Sequence, residues 1–320
     1  MLLAIDVGNT ETVIGLYTLT PQEGASFPPG DAGFGIGAER QPVHGLTHHW
    51  RLSTVPARTP DEYAVLLTQI LDLEGIDIGV TVGGVAVCSS VPAVTGHLRQ
   101  MAARWLGDIP CVVLGPGVRS GMPILYDSPK EVGADRVANA VGAFDLYGGP
   151  CVVVDLGTAT TFDAISAGGE YLGGAITPGV AISLEALFEH AAALRRVELV
   201  EPGCVIGRST AESIQSGVLY GFAAQVDGLC RRFLDELGPA TVVATGGLSD
   251  LVAPHAESVD HVEPWLTLHG LRVVYGRNVP GPAGNAPGAA ATGSVATGAA
   301  AAGSRPARSG SRPAGPGRRR

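Results

Sequence analysis

One short phrase occurs twice in this chain, in the same setting each time. Asp6-Val7-Gly8-Asn9-Thr10-Glu11-Thr12 follows the apolar run Leu2-Leu3-Ala4-Ile5, and Asp155-Leu156-Gly157-Thr158-Ala159-Thr160-Thr161 follows Cys151-Val152-Val153-Val154. Another strand-like stretch comes after each. A strand that ends in Asp and turns through glycine and small hydroxyl residues makes a compact site for metal and phosphate. The glycine lets oxygens approach the backbone, the carboxylate holds a cation, and hydroxyl and N–H groups donate to phosphate. A single Asp-x-Gly also opens many ordinary β-turns. Two copies, 149 positions apart, imply two related half-molecules facing each other across a nucleotide cleft.

The pattern along the chain supports a duplication. Residues 2–6 and 12–17 read as a β-hairpin and 47–52 as a third strand, with a Pro- and Gly-rich loop over 20–45 between them. Thr59-Pro60-Asp61-Glu62 carries three agreeing helix-start signals: a Thr N-cap, Pro in the first turn and Glu three residues on. Tyr63, Leu66, Leu67, Ile70 and Leu71 give that helix one apolar face. Strands at 85–88 and 111–114 alternate with helices at 92–106 and 131–147, and Gly148-Gly149-Pro150 marks a boundary. The second half restarts with strands at 151–155, 160–166 and 171–177, then a helix near 181–193. A Ser209-Thr210-Ala211-Glu212 capping box opens a long helix to about residue 237. Its stripe of Ile214, Val218, Phe222, Val226, Leu229 and Phe233 predicts a core-facing side. A strand at 241–244 and a helix at 266–275 close the pattern. The predicted domains are 1–149 and 150–280, followed by a tail over 281–320.

Composition narrows the classes. A chain of 320 residues can hold two domains with substantial cores. From Gly281 onward it is almost entirely Gly, Ala, Pro, Ser, Thr and Arg, which buries too little apolar surface to offset ordering entropy and predicts disorder. Six of the 21 basic residues lie in that tail with no acid, leaving 15 basic against 30 acidic residues in the body. An acidic body argues against a nucleic-acid partner. Five scattered cysteines without a C-x-x-C pair predict neither a disulfide framework nor a zinc site. With Asp6 preceding any signal-peptide core and no apolar run of about 18 residues, the expectation is a soluble cytoplasmic protein without a membrane partner.

Residues 115–142 become specific, above all Tyr126-Asp127-Ser128-Pro129-Lys130-Glu131-Val132-Gly133-Ala134-Asp135-Arg136. With the two Asp-led phrases, this segment closely resembles the type III pantothenate kinases, bacterial enzymes that open coenzyme A synthesis. Trp50-Arg51, Thr59-Pro60-Asp61-Glu62-Tyr63, Gly173-Gly174-Ala175-Ile176-Thr177-Pro178-Gly179, Ile206-Gly207-Arg208-Ser209-Thr210 and Ala244-Thr245-Gly246-Gly247-Leu248 add matches in order. The resemblance runs from residue 1 to about 278, leaving out the 20–45 stretch and the tail. It implies an α/β fold of two duplicated actin-like (ribonuclease H-like) domains with a nucleotide cleft between them. The implied reaction converts Mg-ATP and pantothenate into ADP and 4′-phosphopantothenate.

The resemblance also assigns residues. Asp6, Val7, Gly8, Asn9, Thr10, Glu11, Thr12 and Val13 fall on the phosphate and Mg-ATP loop, with Asp6 as the Mg²⁺ anchor, and Thr158 falls on a further ATP contact. Asp135 falls on the catalytic base. Tyr126, Gly133, Ala134, Asp135, Arg136 and Thr210 fall on substrate-binding positions. Arg136 can pair with an anionic substrate group, and Thr210, at a helix start, can serve an anion as well as the cap. Asp155 falls on a monovalent-cation position for K⁺ or NH₄⁺; spacing alone does not separate that role from a Mg²⁺ ligand. A homodimer is implied, with the pantothenate pocket partly completed by the partner subunit.

Three departures stand out: Ser128 for a usual Asn, Leu156 for a commoner Phe, and Leu194-Arg195 for Leu-Pro. The single lysine, Lys130, and the lack of a G-x-x-x-x-G-K-[ST] loop count against a P-loop kinase. Two readings compete with this one. Retention of Asp6, Asp135 and Asp155 argues against a non-catalytic regulator of the same family. The other is another small-molecule kinase on the same fold, whose repressor-related sugar kinases would be expected to show a Cys/His zinc cluster that this sequence lacks.

Overall fold

The computed structural model describes residues 1–19, 45–191 and 194–279. The expected 20–45 loop, apart from Gly45, and the 281–320 tail lie outside the described residues. The first half runs β1 (Leu2–Val7), β2 (Glu11–Tyr17), β3 (Leu46–Ser53), α1 (Pro60–Asp72), α2 (Ile78–Thr81), β4 (Gly84–Ser89), α3 (Pro92–Trp105), β5 (Cys111–Val113) and α4 (Ala134–Tyr147). The second runs β6 (Cys151–Leu156), β7 (Ala159–Ile165), β8 (Tyr171–Pro178), α5 (Val180–His190), α6 (Thr210–Leu237), β9 (Thr241–Thr245), α7 (Ser249–Val252), β10 (His261–Val262) and α8 (Leu266–Asn278).

The strands form two mixed five-stranded sheets, ordered β3-β2-β1-β4-β5 and β8-β7-β6-β9-β10. In each, the middle strand pairs antiparallel with the strand after its turn and parallel with a later one. The second sheet repeats the topology of the first, so the duplication read from the two phrases is present in the fold.

Both middle strands are buried on both faces, which accounts for their unbroken apolar runs. Side chains alternate along them. Leu3, Ile5 and Val7 pack with Tyr63, Leu67 and Leu98 of α1 and α3, while Leu2 and Ala4 pack with Val137, Val141 and Leu271 of α4 and α8. In the second sheet Val152, Val154 and Leu156 pack with Leu219, Ala223 and Val226 of α6, while Cys151 and Val153 join the α4–α8 side. One core thus joins the inner faces of both sheets through two helices. Asp6 is in phase with Leu2 and Ala4, and Asp155 with Cys151 and Val153. Strand parity therefore turns both carboxylates toward the layer that holds α4.

That layer is tightly built. Every residue from 136 to 143 of α4 is buried. A Cβ at Gly270 of α8 would overlap the Ala138 carbonyl oxygen, and one at Gly142 would lie 2.8 Å from the Leu266 carbonyl oxygen. The two helices approach at backbone distance because glycines stand at the crossing.

The capping boxes at Thr59–Glu62 and Ser209–Glu212 form as expected, opening α1 and α6. Three local readings change. The helix expected over 131–147 begins at Ala134; Pro129–Glu131 is a separate 3₁₀ turn, and Val132 (ψ 124°) and Gly133 (ψ 140°) are not helical. The break puts Asp135 in the first turn of α4. On α6 the fully buried line is Ile214, Leu219, Ala223, Val226 and Cys230; Val218, Phe222, Leu229 and Phe233 flank it, only partly buried. Small Ala223 and Cys230 let the helix axis approach the sheet, and the larger side chains spread to either side. The helix expected to reach 193 ends at His190, and residues 192 and 193 lie outside the described set. Elements α2, α7 and β10, of four, four and two residues, are too short to leave a periodic signal.

The α4–α8 crossing makes a paired prediction. Gly270→Ala should cost about 1–3 kcal/mol by overpacking. Gly276→Ala, on the same helix with nothing within 4 Å of its Cβ position, should stabilise by up to about 1 kcal/mol. Denaturant midpoints of the two variants check this, and equal midpoints would refute a tight crossing.

Candidate active site

The two Asp-led turns meet. In the first, the Gly8 amide donates to the Glu11 carbonyl (2.9 Å), and Thr54 of the segment after β3 donates through Oγ1 to the Gly8 carbonyl (2.8 Å). In the second, the Gly157 amide donates to the Ala159 carbonyl (3.2 Å). Gly179, capping α5, lies so close to the Gly157 and Thr158 carbonyls that no side chain would fit there. The Thr10 and Thr158 hydroxyls, 148 residues apart, stand 3.3 Å from one another. The outer residues of both turns, Asn9, Thr10 and Thr158, are exposed.

Three carboxylates share one electrostatic neighbourhood beneath these turns. Burial pushes the Asp6 carboxyl up to about 7, the negative charge of Asp135 adds to the rise, and a hydrogen bond from the Cys88 thiol and the charge of Arg51 oppose it. Asp155 is likewise pushed up to about 7 by burial, then by the charges of Asp135 and Asp6, against a hydrogen bond from Asn139. Desolvation and like charge both disfavour the ionised form. The Cys88 Sγ–H bond to Asp6 Oδ1 is 3.0 Å, and Asn139 Nδ2 lies 2.9 Å from Asp155 Oδ2. Asn139 is fixed in turn by the Thr267 hydroxyl of α8, which donates to its Oδ1 at 2.7 Å.

The glycines around the acids follow from close approach. A Cβ at Gly133 would collide with the Asp135 carboxylate, which folds back to accept from the Arg136 amide at 2.8 Å. Gly246, at φ +93°, lies under Asp155 Oδ1, where a Cβ would come to 2.5 Å. Only glycine adopts that backbone freely.

The other expected site residues divide by placement. Val7 belongs to the core, and the buried Thr12 hydroxyl is 2.9 Å from that of Thr54; neither side chain is open to a ligand. Val13 is half-buried against the central core. Glu11 is exposed and pairs with Arg51 at 3.1 Å, and the Arg51 guanidinium also stacks over Trp265. Arg136 is buried and already paired: its Nε donates to Asp163 Oδ1 at 2.8 Å, and Nη2 lies 2.7 Å from the same oxygen. Tyr126 is partly exposed, packed against Tyr171 with centroids 6.4 Å apart. Thr210 is exposed in the first turn of α6, capped by Ser209, and no hydrogen bond among the described residues joins it to the acids. Two surface grooves of about 640 and 570 Å³, one beside Gln225 and Arg232 and one beside Arg99 and Cys111, lie away from these acids.

Asn139, Asp163 and Cys88 had no role in the sequence reading. Asn139 follows Asp135 by one helical turn, and Asp163 is an acid inside an apolar strand, a pattern that usually marks a buried pair. Nothing in the sequence distinguished Cys88 from a core thiol.

The donor set suits a hard cation. Carboxylate oxygens favour Mg²⁺, which in nucleotide sites takes one or two carboxylates and completes its shell with phosphate and water. No group of three His, Cys, Asp or Glu among the described residues could hold a metal ion alone.

A family model described as type III pantothenate kinase matches residues 2–232. The chain belongs to this family. A type III pantothenate kinase from Streptomyces avermitilis is 49% identical over 286 residues, 87% of this chain and 99% of the relative. One from Saccharopolyspora erythraea is 50% identical over 283 residues, with 87% and 99% covered, and one from Thermobifida fusca 49% over 282, with 87% and 100%. Among solved structures, an archaeal actin homolog is similar with a TM-score of 0.45 and 13% identity, over 86% of this chain and 99% of that one. As a family member the chain is a kinase, and no helix among its described residues is long and apolar enough to cross a membrane.

The raised acids of this kinase make its stability depend on pH. Asp6 and Asp155 hold their protons to about pH 7 when folded, against an ordinary value of 3.8. The unfolded chain releases those protons first, so their contribution to stability is lost as pH rises toward 7. Asp155→Asn should therefore raise the melting temperature of the ligand-free protein by about 3–6 °C at pH 8 and by much less at pH 5. An equal gain at both pH values would contradict the assignment of charge to this site.

Proposed function

We propose that the chain transfers the terminal phosphoryl group of Mg-ATP to the primary hydroxyl of pantothenate, the opening step of coenzyme A synthesis. The observation that carries this reading is the convergence of Asp6, Asp135 and Asp155 below two touching copies of one phosphate-type turn. The names of the relatives supply the substrate.

In this reading the amides and hydroxyls of Asn9, Thr10 and Thr158 hold the phosphate chain, and Gly8, whose amide closes the turn onto Glu11, lets that chain approach the backbone. Asp6 holds the Mg²⁺ of Mg-ATP, and Asp155 holds a monovalent cation, K⁺ or NH₄⁺. When bound, these cations would offset phosphate charge in a chain whose single lysine, Lys130, belongs to no phosphate-binding G-x-x-x-x-G-K-[ST] loop. Asp135 orients the pantothenate hydroxyl and accepts its proton as the oxygen bonds to the terminal phosphorus and ADP departs. Phosphoryl transfer through a loose transition state asks mainly for such positioning and charge neutralisation. Tyr126, Gly133, Ala134 and Arg136 border the pantothenate, and Thr210 serves the same pocket. The enzyme works as a cytoplasmic homodimer: β8 and α5 expose Leu172, Ile176, Ile182 and Leu187, and the loop before α6 exposes Val205 and Ile206, surface that a second copy would cover.

Asp135→Asn should preserve the fold and nucleotide binding while lowering turnover about 10²–10⁴-fold. Undiminished turnover removes Asp135 from the reaction. ATP-dependent phosphorylation of pantothenate, measured with K⁺, NH₄⁺ or Na⁺ as sole monovalent cation, tests the substrate and Asp155 together. The expected result is turnover with K⁺ or NH₄⁺ and little with Na⁺.

A further inference from the structure

We propose that Asp163 is a positioning residue for pantothenate recognition, setting Arg136 directly and Tyr126 through Tyr171. The proposal rests on the pantothenate reading above and assigns Asp163 no reacting atom.

Asp163 is fully buried in β7. Its register partner on β6 is Val153, which faces the α4–α8 layer, so Asp163 faces that layer too. There its carboxylate gathers three donors. Arg136 Nε reaches Oδ1 at 2.8 Å, the Tyr171 hydroxyl reaches Oδ1 at 2.7 Å, and the Thr161 hydroxyl reaches Oδ2 at 3.1 Å. On the other side of β7, Asp163 is paired with Gly174 of β8, where a Cβ would stand 2.7 Å from Arg136 Nη2. A Cβ there would also overlap the Phe162 carbonyl oxygen, so glycine serves both the sheet and the guanidinium.

This arrangement fixes two separate parts of the pocket. Arg136 follows Asp135 directly in the first turn of α4, so a guanidinium locked to β7 also limits how that turn can move. Arg136 Nη2 lies 2.7 Å from the same Asp163 oxygen, so Nε and Nη2 together fix the guanidinium against β7. Tyr171, held by Asp163, exchanges backbone hydrogen bonds with the segment leading to Tyr126: its amide donates to the Pro123 carbonyl, and the Leu125 amide donates to the Tyr171 carbonyl, both at 2.8 Å. The Tyr126 ring packs against the Tyr171 ring at 6.4 Å. One carboxylate therefore sets the cationic and the aromatic wall of the same pocket.

A buried ion pair is weak evidence for a stability role, because desolvation can cancel its attraction. The two roles give different kinetics. Asp163→Asn keeps the shape and removes the charge; in the full chain, it should raise the KM for pantothenate about 30-fold while the KM for ATP stays within about twofold. In an Arg136→Lys background the same substitution should add less than about threefold, because the partner is already displaced. A lower melting temperature with both KM values unchanged, or an equal rise in both, overturns the proposal. If Asp163→Asn does not fold, Tyr171→Phe decides: about a fivefold rise in pantothenate KM alone supports the positioning role, and no change overturns it. Wild-type enzyme that fails to phosphorylate pantothenate overturns the functional reading and this proposal with it.

Discussion

Two carboxylates close the middle strands of two sheets and meet each other's charge across a layer one helix pair thick. Left to themselves, Asp6 and Asp155 would separate or take up protons; burial and the nearby Asp135 push both toward neutrality at physiological pH. The fold holds them in place because strand parity leaves them no other direction. Residues in phase with Leu2 and Ala4, or with Cys151 and Val153, face the α4–α8 layer as long as the core stays packed. The like-charge repulsion is opposed by the packing of the core clusters on both faces of these strands. A cation is the ligand that would relieve such carboxylates, which is why the proposed Mg-ATP fits them.

The two halves repeat a topology without repeating the chemistry of their acids. Asp6 receives a weak thiol donor from Cys88, its register neighbour on β4. Asp155 receives a stronger amide donor from Asn139, whose orientation is set by Thr267 on α8. Helix α4 carries Asp135, Arg136 and Asn139 within five residues, so one rigid element addresses the third carboxylate, the buried pair with Asp163 and the second acid. Glycines at the α4–α8 crossing keep that element in register with both sheets.

Much of this was legible before the structure. The Asp-led turns stood out because a strand end, a glycine and hydroxyls must sit adjacent in sequence to make a turn. Capping boxes at Thr59 and Ser209 are likewise local, and both formed. What stayed hidden was decided at long range. The start of α4 moved to Ala134 because Val132 and Gly133 answer to the packing of Asp135 rather than to helix propensity. The core line of α6 rotated toward Ala223 and Cys230 because the sheet admits small side chains there. Arg136 reads in the sequence only as a cation for an anionic substrate group, because Asp163, its partner in the fold, lies 27 residues away on another element. Cys88 gave no signal at all, since a core thiol and a thiol bonded to a carboxylate are written identically.

The central claim is that these acids surround the terminal phosphate of a bound nucleotide. A crystal structure with Mn²⁺ and a non-hydrolysable ATP analogue, read by Mn²⁺ anomalous scattering, tests it most directly. The account predicts a manganese peak at the Asp6 carboxylate, with the terminal phosphorus between the two Asp-led turns and facing Asp135. A nucleotide bound elsewhere, or a metal peak remote from Asp6 and Asp155, would contradict it.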